Sequence, residues 1–366
     1  APDCFYVERK LRERMKIPVF HDDQHGTAIV VGAALLNGLK VVGKKIDEIK
    51  LVTSGGGAAA LACLGLLVKL GVPKKNITVT DLAGVVYTGR VELMDPDKAE
   101  FAQDTAARTL REAIVGADVF LGLSAGGVLK GDMVATMAAR PLIFALANPT
   151  PEIMPEEVAA VRGDAIMATG RTDYPNQVNN VLCFPYIFRG ALDVRASTIN
   201  EQMKVAAAYA IAALAREEVP DEVTAAYRGR RLRYGPEYLI PTPFDPRLIT
   251  AVPEAVARAA METGVAKRPI TDFDAYHDSL NRFVFRSGLV MKPIIDRAQG
   301  KGKVVAFADG EDERVLRAAQ VLIEDRIARP LLIGRPQVIE SRIRRFGLNL
   351  NLAEIEVINP EDDPRY

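Results

Sequence analysis

Tryptophan is absent from this chain of 366 residues, histidine occurs three times, and aromatic side chains make up only 6%. The interior must therefore be aliphatic, and the length allows a substantial core divided among more than one domain. Only three cysteines are present, Cys4, Cys63 and Cys183. Their odd number and wide spacing exclude a disulfide framework, and the absence of a CxxC pair excludes a structural zinc site of that type. A reduced, cytoplasmic compartment is the expectation. Neither charge sign is in excess: Lys+Arg and Asp+Glu number 47 each. That excludes a nucleic-acid partner gripped along a basic face, although single anion pockets stay compatible with a net charge of zero. Apolar runs such as Leu61–Leu70 end well before the roughly 18 residues that span a bilayer, so no membrane partner is expected. No basic, then apolar, then small-residue leader opens the sequence. The first residue is Ala1 rather than Met, as in a fragment or a processed chain.

From about Lys50 to Gly170, short β-rich runs alternate with helical stretches. Strands are expected at Lys50–Ser54, Asn76–Asp81, Asp118–Ser124, Pro141–Asn148 and Ala165–Gly170. Helices are expected at Ala58–Leu70, Thr109–Val115, Gly131–Ala139 and Pro155–Val161. Hydrophobicity that is continuous within the strands fits a parallel sheet covered on both faces. The repeated strand–helix order implies a doubly wound α/β domain. Upstream, Thr27–Lys40 is apolar nearly all round and reads as a buried helix. Downstream, Ile199–Glu218 and Pro253–Val265 read as helices. Between them Pro236, Pro241, Pro243 and Pro246 surround Tyr238 and Phe244 in a segment too apolar for a disordered linker. The composition shifts at Ala266–Lys303, and the alternating pattern restarts at Val304–Ala308, Glu313–Ala328, Pro330–Gly334 and Gln337–Phe346. This is the start of a second α/β domain, too small a sheet to be stable alone.

The run Gly55-Gly56-Gly57-Ala58-Ala59-Ala60 follows the first strand of that domain and opens a helix. Read as GxGxxA, Gly55 permits the tight turn, Gly57 lets backbone approach a pyrophosphate, and Ala60 keeps helix and strand close. The phosphates would sit on the free amides of the helix N-terminus. Asp81 ends the next strand and can accept from adenosine ribose hydroxyls. The expectation is a Rossmann-type parallel sheet that binds a dinucleotide. Asp81 favours NAD and Leu82-Ala83 supply no cation for a 2′-phosphate, but Arg90 stands near enough in sequence to leave NADP open.

Phe20-His21-Asp22-Asp23-Gln24-His25-Gly26-Thr27 sets two carboxylates and two histidines just before the buried helix. Adjacent acids there suit helix capping. Zinc on His21 and His25 is disfavoured, because Gly26 argues against a helix and no third soft ligand is near. A hard oxygen site for Mg²⁺ or Mn²⁺ with Asp23 as a ligand fits better. In an open α/β sheet, ligands bind beyond the carboxyl ends of the strands, where Ser54, Asp81, Ser124, Asn148 and Gly170 are expected. Asn148 precedes Pro149 and either contacts a ligand or caps a turn. Arg171–Asn180 packs an arginine and four amides into ten residues, more than a plain connection needs, and reads as a binding loop. Cys183 sits in an apolar run and reads as a buried packer.

Together Pro18–Thr27 (PVFHDDQHGT), the glycine turn, Ala145–Thr150 and Gly170–Gly190 (GRTDYPNQVNNVLCFPYIFRG) resemble the malic enzyme family from Ala1 to about Ala260. From Lys303, VVAFADGEDERVLRAAQ and PLLIGRPQVIESR resemble the opening of a phosphate acetyltransferase domain, a combination similar to fused bacterial malic enzymes. The resemblance implies oxidative decarboxylation of malate to pyruvate and CO2 with NAD or NADP and Mg²⁺ or Mn²⁺. It implies Asp23 as a metal ligand with Asp22 beside it in the active site. It also implies Gly55, Gly56, Gly57, Ala58 and Ala59 at the dinucleotide phosphates, and Asn148 and Asn180 at the nicotinamide end and the malate. Acetyl-CoA is implied as an effector, and a homo-oligomer as the assembly. Residues 1–24 would end a preceding catalytic domain, 25–265 would form the NAD(P)-binding domain, 266–302 a linker, and 303–366 the start of the second domain. The family's catalytic Tyr and Lys, and the Glu-Asp pair that completes its metal site, lie upstream of the position matching Ala1. By that implication this stretch alone would not turn over. Two alternatives remain: another Rossmann dehydrogenase of 2-hydroxy acids or amino acids, and a non-catalytic dinucleotide-binding regulatory module.

Overall fold

A computed structural model describes residues 2–220, 223, 232–243, 245–284, 297–298, 300–324, 326–346, 348 and 350–364. The chain divides into two compact units, Ala1–Asn281 and Arg282–Tyr366.

In the first unit, strands β1 (Leu51–Ser54), β2 (Ile77–Asp81), β3 (Gly84–Val85), β4 (Val119–Gly122), β5 (Leu142–Ala145) and β6 (Ile166–Thr169) form one sheet in the order β3-β2-β1-β4-β5-β6. All neighbours pair in parallel except β2 with β3, a hairpin at the edge. Sequential strands thus run outward from β1 in both directions, with the reversal between β1 and β4. The continuous apolar runs have a simple cause: successive side chains enter opposite layers. Leu51, Val119, Leu121, Leu142 and Phe144 join one core with the long helices. Val52, Phe120, Ile143 and Ala145 join a second core with Ile114, Val134 and Val158 of the shorter helical segments. Each expected strand forms, trimmed at its ends.

Helix α1 spans Pro2–Arg14 and was not expected; its residues are mostly charged and present no clean apolar stripe. Helix α2 runs from Asp22 to Val42, starting five residues before the expected Thr27. The His21–Gly26 cluster therefore belongs to the helix and its cap, which corrects the reading of Gly26 as a break. A side chain at position 26 would run into the Asp22 carboxylate, and its Cβ would come 3.1 Å from the Asn180 Cβ. Glycine stands there because two polar groups close over the helix, and that closeness outweighs its poor intrinsic helix propensity. Helix α2 is long and apolar enough to cross a membrane by length and composition, but 72% of its apolar window is buried inside the fold. Helix α3 covers Ala58–Leu70, and further helices cover Phe184–Asp193, Glu201–Leu214 and Leu248–Glu262. The last begins five residues before the expected Pro253, which sits inside it. The helix Phe273–Val284 lies in the stretch expected as a linker, and the unit boundary falls within it. Phe244 lies outside the described residues.

In the second unit β7 (Val304–Phe307), β8 (Arg329–Ile333) and β9 (Glu356–Ile358) form a parallel sheet, with helices at Glu313–Glu324 and Pro336–Phe346. Its small core gathers Leu316, Ala319, Leu332, Ile339, Ile343 and Ile355. The third strand β9 extends the single crossover that the sequence pattern shows.

One polar side chain is locked deep in the apolar helix α2. Asn37 is wholly buried; its amide donates to the carbonyls of Ala212 (2.8 Å) and Leu239 (2.7 Å), and its oxygen accepts from Arg216 (2.7 Å). Asn37→Ala leaves those carbonyls without donors and should cost about 2–3 kcal/mol of stability, read as a lower denaturant midpoint at unchanged slope.

Candidate functional site

The polar groups at the starts of α2 and α3 and at the strand ends share one edge of the sheet. Gly32 of α2 lies over Leu66 and Leu70 of α3, while Gln24 and His25 share a cavity of about 350 Å³ with Leu61 and Ala62. The two helices therefore run in the same direction, and their N-termini lie at one end. That end is the carboxyl edge of the sheet, since α3 leaves directly from β1 through the glycine turn. Asp22, Asp23 and Gly55–Ala59 thus face the same edge as Asn148, three residues beyond β5, and Gly170, which follows β6.

At the turn, Gly55 adopts φ +117°, and the Gly55 amide donates to Thr80 at 2.8 Å. Any Cβ here would collide with the Leu123 carbonyl, so the residue must be glycine for two reasons. Gly57 caps α3 without a side-chain hydrogen bond. The amides of Ala58 and Ala59 are left for an anion, where the helix dipole favours one.

Asp22 opens α2 half-buried. Its Oδ2 accepts a short hydrogen bond from the Asn180 amide, whereas Oδ1 is buried without a partner. Burial raises the pKa of Asp22; the Asn180 contact opposes this, and neighbouring Asp23 adds to it. His21 Nδ1 and Gln24 Nε2 are likewise buried and unsatisfied, an unusual concentration of orphaned polar atoms in one helical turn. Asp23 is exposed beside them. Hard oxygen donors of this kind suit Mg²⁺ or Mn²⁺, but among the described residues no three His, Cys, Asp or Glu side chains form a metal-holding group. Asp22 and Asp23 are too few donors for a complete shell on their own.

His25 faces away from any soft-metal role, because both ring nitrogens are engaged. Nε2 meets Glu8 at 2.7 Å and Nδ1 meets Lys204 at 3.0 Å. Lys204 also donates to Glu201 at 2.8 Å. Burial lowers the pKa of His25, opposed by Glu8, which fits a neutral ring that donates to Glu8 and accepts from Lys204.

Asp81 is not the free acceptor that its place at the end of β2 suggests. Its Oδ2 accepts from Arg90 (2.5 Å) and Lys98 (2.8 Å), and its Oδ1 accepts from the Ala83 amide (2.9 Å). The Arg171–Asn180 loop is also less available than its composition implies. Asn176 is buried and spends its amide on the carbonyls of Met167 and Pro236 and its oxygen on the Leu239 amide. Asn179 caps Val181, and Arg171 pairs with Asp173. Of the three asparagines there, Asn180 alone reaches the Asp22 carboxylate. Asn148 is exposed, with its side chain beside Gly170 and a cis bond to Pro149. Cys183 is fully buried, and burial pushes its thiol pKa far up, as expected for a packer.

Sequence reasoning missed Glu152. It is wholly buried and accepts from the Ser124 amide and hydroxyl (2.8 and 3.2 Å) and the Ala147 amide (3.0 Å). Ser124 in turn meets the Ser54 hydroxyl at 2.9 Å. One carboxylate thereby ties together the loops beyond β1, β4 and β5. Its only sequence signal is an acid four residues after Asn148, which is too common to single out.

Sheet order, switch point and an uncapped glycine turn define the class: an α/β domain of the dinucleotide-binding type. Residues 24–226 match the family described as "Malic enzyme, NAD binding domain", and the chain belongs to the malic enzyme family. Residues 289–366 match "Phosphate acetyl/butaryl transferase". The chain is similar to the NAD-dependent malic enzyme of Rhizobium meliloti (strain 1021), 64% identical over 368 aligned residues covering 100% of this chain and 48% of that protein. It is also similar to the NADP-dependent malic enzyme of Haemophilus influenzae, 57% identical across 100% of this chain and 49% of that one. It therefore spans about half the length of these curated relatives. Among solved structures, the malic enzyme from Pyrococcus horikoshii Ot3 superposes with a TM-score of 0.69 at 39% identity, over 81% of this chain and 67% of that one.

Glu152→Ala strands the buried Ala147 amide and the part-buried Ser124 amide and should lower stability by about 2–3 kcal/mol, with Glu152→Gln intermediate because it keeps one acceptor; thermal melting of the three proteins checks the order.

Proposed function

We propose that the full-length protein oxidatively decarboxylates malate to pyruvate and CO2, passing the C2 hydride to NAD or NADP, with a divalent metal held in part by Asp23. The observation that carries this reading is the first turn of α2. A buried carboxylate oxygen with no partner and an exposed acid stand at the same sheet edge as an uncapped phosphate-binding turn. Membership of the malic enzyme family and the names of the relatives support it.

In this reading the amides of Ala58 and Ala59 receive the dinucleotide phosphates, with Gly55, Gly56 and Gly57 keeping side chains out of the way. Asn148, at the carboxyl end of β5, orients the nicotinamide end by hydrogen bonds. Asn180 fixes Asp22, so that the pair of acids presents a set geometry to a small diacid and its metal. A bound Mg²⁺ or Mn²⁺ would polarise the oxygen on C2 and so stabilise the charge that develops there as the carboxylate is lost. Asp23 needs further ligands and the chemistry needs a proton donor and base. We infer that both come from parts of the parent protein outside the 366 residues, residues 1–24 being the end of that catalytic domain. Within the second unit, the stretch from about residue 303 would be the start of an acetyl-CoA-sensing domain, in an assembly of identical chains.

Calorimetry on the full-length protein tests the reading: malate should bind tightly only with Mn²⁺ and dinucleotide present. Asp23→Asn should weaken metal-dependent malate binding at least about tenfold. Dinucleotide binding indifferent to both metal and malate would overturn the enzyme reading in favour of a regulatory module.

A further inference from the structure

A dinucleotide whose phosphates sit on the glycine turn, with its adenosine towards β2, must lay its other half across the ends of β4 and β5. We propose that Glu152 is the positioning residue for this nicotinamide half. It turns the Ser124 hydroxyl oxygen outward as an acceptor for a cofactor hydroxyl or carboxamide N–H, and it holds the backbone from which Asn148 projects. The proposal rests on the dinucleotide site described above and names what sets its nicotinamide end.

Glu152 is wholly buried, and its carboxylate lies across the end of β4: a Cβ on Gly122 would stand 2.3 Å from the Glu152 Cδ. Its Oε2 accepts from the amide of Ala147, one residue before Asn148, at 3.0 Å. Its own carbonyl accepts from the Leu129 amide at 3.0 Å, and the Pro151 carbonyl accepts from the Gly127 amide at 3.1 Å. The β5 loop is thus fixed on both sides of Asn148–Thr150, and those three residues are exposed. Within that short arc the Asn148 amide lies against Gly170, where a Cβ would stand 3.3 Å from its oxygen.

The same carboxylate sets the direction of two hydroxyl hydrogens. Ser124 donates its single hydroxyl hydrogen to Glu152 Oε1 at 3.2 Å, and its amide donates to that oxygen at 2.8 Å. In the 2.9 Å contact between the Ser54 and Ser124 hydroxyls, Ser54 must then be the donor. Every hydrogen of this chain points towards Glu152. The oxygen of exposed Ser124 keeps one lone pair and can only accept. Ser54 ends β1 just before the glycine turn and Ser124 stands two residues beyond β4, so the pair bridges the switch point. Stability alone is a poor reason for this arrangement. The donors to Glu152 are two amides and a hydroxyl, none of them cationic, and burying a carboxylate without a counter-cation is expensive. An acceptor-only group is what fixes the sense of the hydroxyl chain; a glutamine, which carries donors of its own, leaves it free to reverse.

Calorimetry on the full-length protein tests this by comparing ADP, which lacks the nicotinamide half, with whichever of NADH and NADPH binds more tightly. Ser124→Ala should weaken the reduced dinucleotide about tenfold, the usual worth of one hydrogen bond, and leave ADP affinity unchanged. Glu152→Gln should do the same, and the double variant should lose no more than either single one, because both changes remove one contact. A lower melting temperature for Glu152→Gln with an unchanged ratio of the two affinities makes Glu152 a structural residue only and overturns the proposal. An unchanged ratio in Ser124→Ala, or losses that add in the double variant, overturns it too. Each of these outcomes leaves the dinucleotide site standing; if the wild-type protein binds neither ligand, the dinucleotide reading itself fails. Should Glu152→Gln not fold, Glu152→Asp, which keeps both acceptors on a shorter arm, takes its place, and exposed Ser124→Ala decides in either case.

Discussion

Helices α2 and α3 lie side by side and run in the same direction, and that alignment decides where the polar groups of the first unit can meet. Each helix brings unpaired first-turn amides and the positive end of its dipole to the carboxyl edge of the sheet. The two ends are then treated differently. Helix α2 carries its own anions, Asp22 and Asp23. Helix α3 begins at a glycine and carries neither an acid nor a side-chain cap. Room for a foreign anion therefore exists at α3, while α2 offers carboxylates to a cation. An anion at one helix end and a cation at the other is what such an asymmetric pair suits on one edge.

The sheet was legible in the sequence because burial on both faces leaves the strands without charged residues before their last position, and with little polarity beyond threonine. Runs such as Leu142–Ala145 can be nothing else when bounded by Pro141 and Asn148. Helix starts were less legible wherever a local rule met a tertiary demand. Gly26 breaks helix propensity but makes room for Asp22 and Asn180. Pro253 lies in the second turn of its helix, past the free amides where proline usually stands, so a rule that reads proline as a helix start placed the boundary too late. Strand β9 was missed because three residues, partly exposed, leave too short a pattern.

The site was legible by residue type and illegible by partner. Asp81 looked free because the cations that hold it come nine and seventeen residues later, from the far side of the β2–β3 hairpin. Asn176 looked like a ligand contact because nothing in its neighbourhood announces that Pro236 and Leu239 fold over it. Asn180 could be separated from the asparagines around it only by geometry. Spacing gives the inventory of groups at a strand end, and long-range hydrogen bonds then remove most of them from service.

The same reasoning explains the chain of charged groups behind α2. Glu8, His25, Lys204 and Glu201 join α1, α2 and the helix Glu201–Leu214 through consecutive contacts of 2.7, 3.0 and 2.8 Å. A buried ionic chain contributes little net stability, because desolvating its members offsets their attraction. What it does supply is register: moving α2 by one residue would take His25 from between Glu8 and Lys204. Asn180 restrains the same helix end through Asp22. Held by these contacts, the first turn of α2 can keep the unsatisfied Asp22 oxygen in place in the absence of a ligand, and that preorganisation is what a binding site requires of its scaffold.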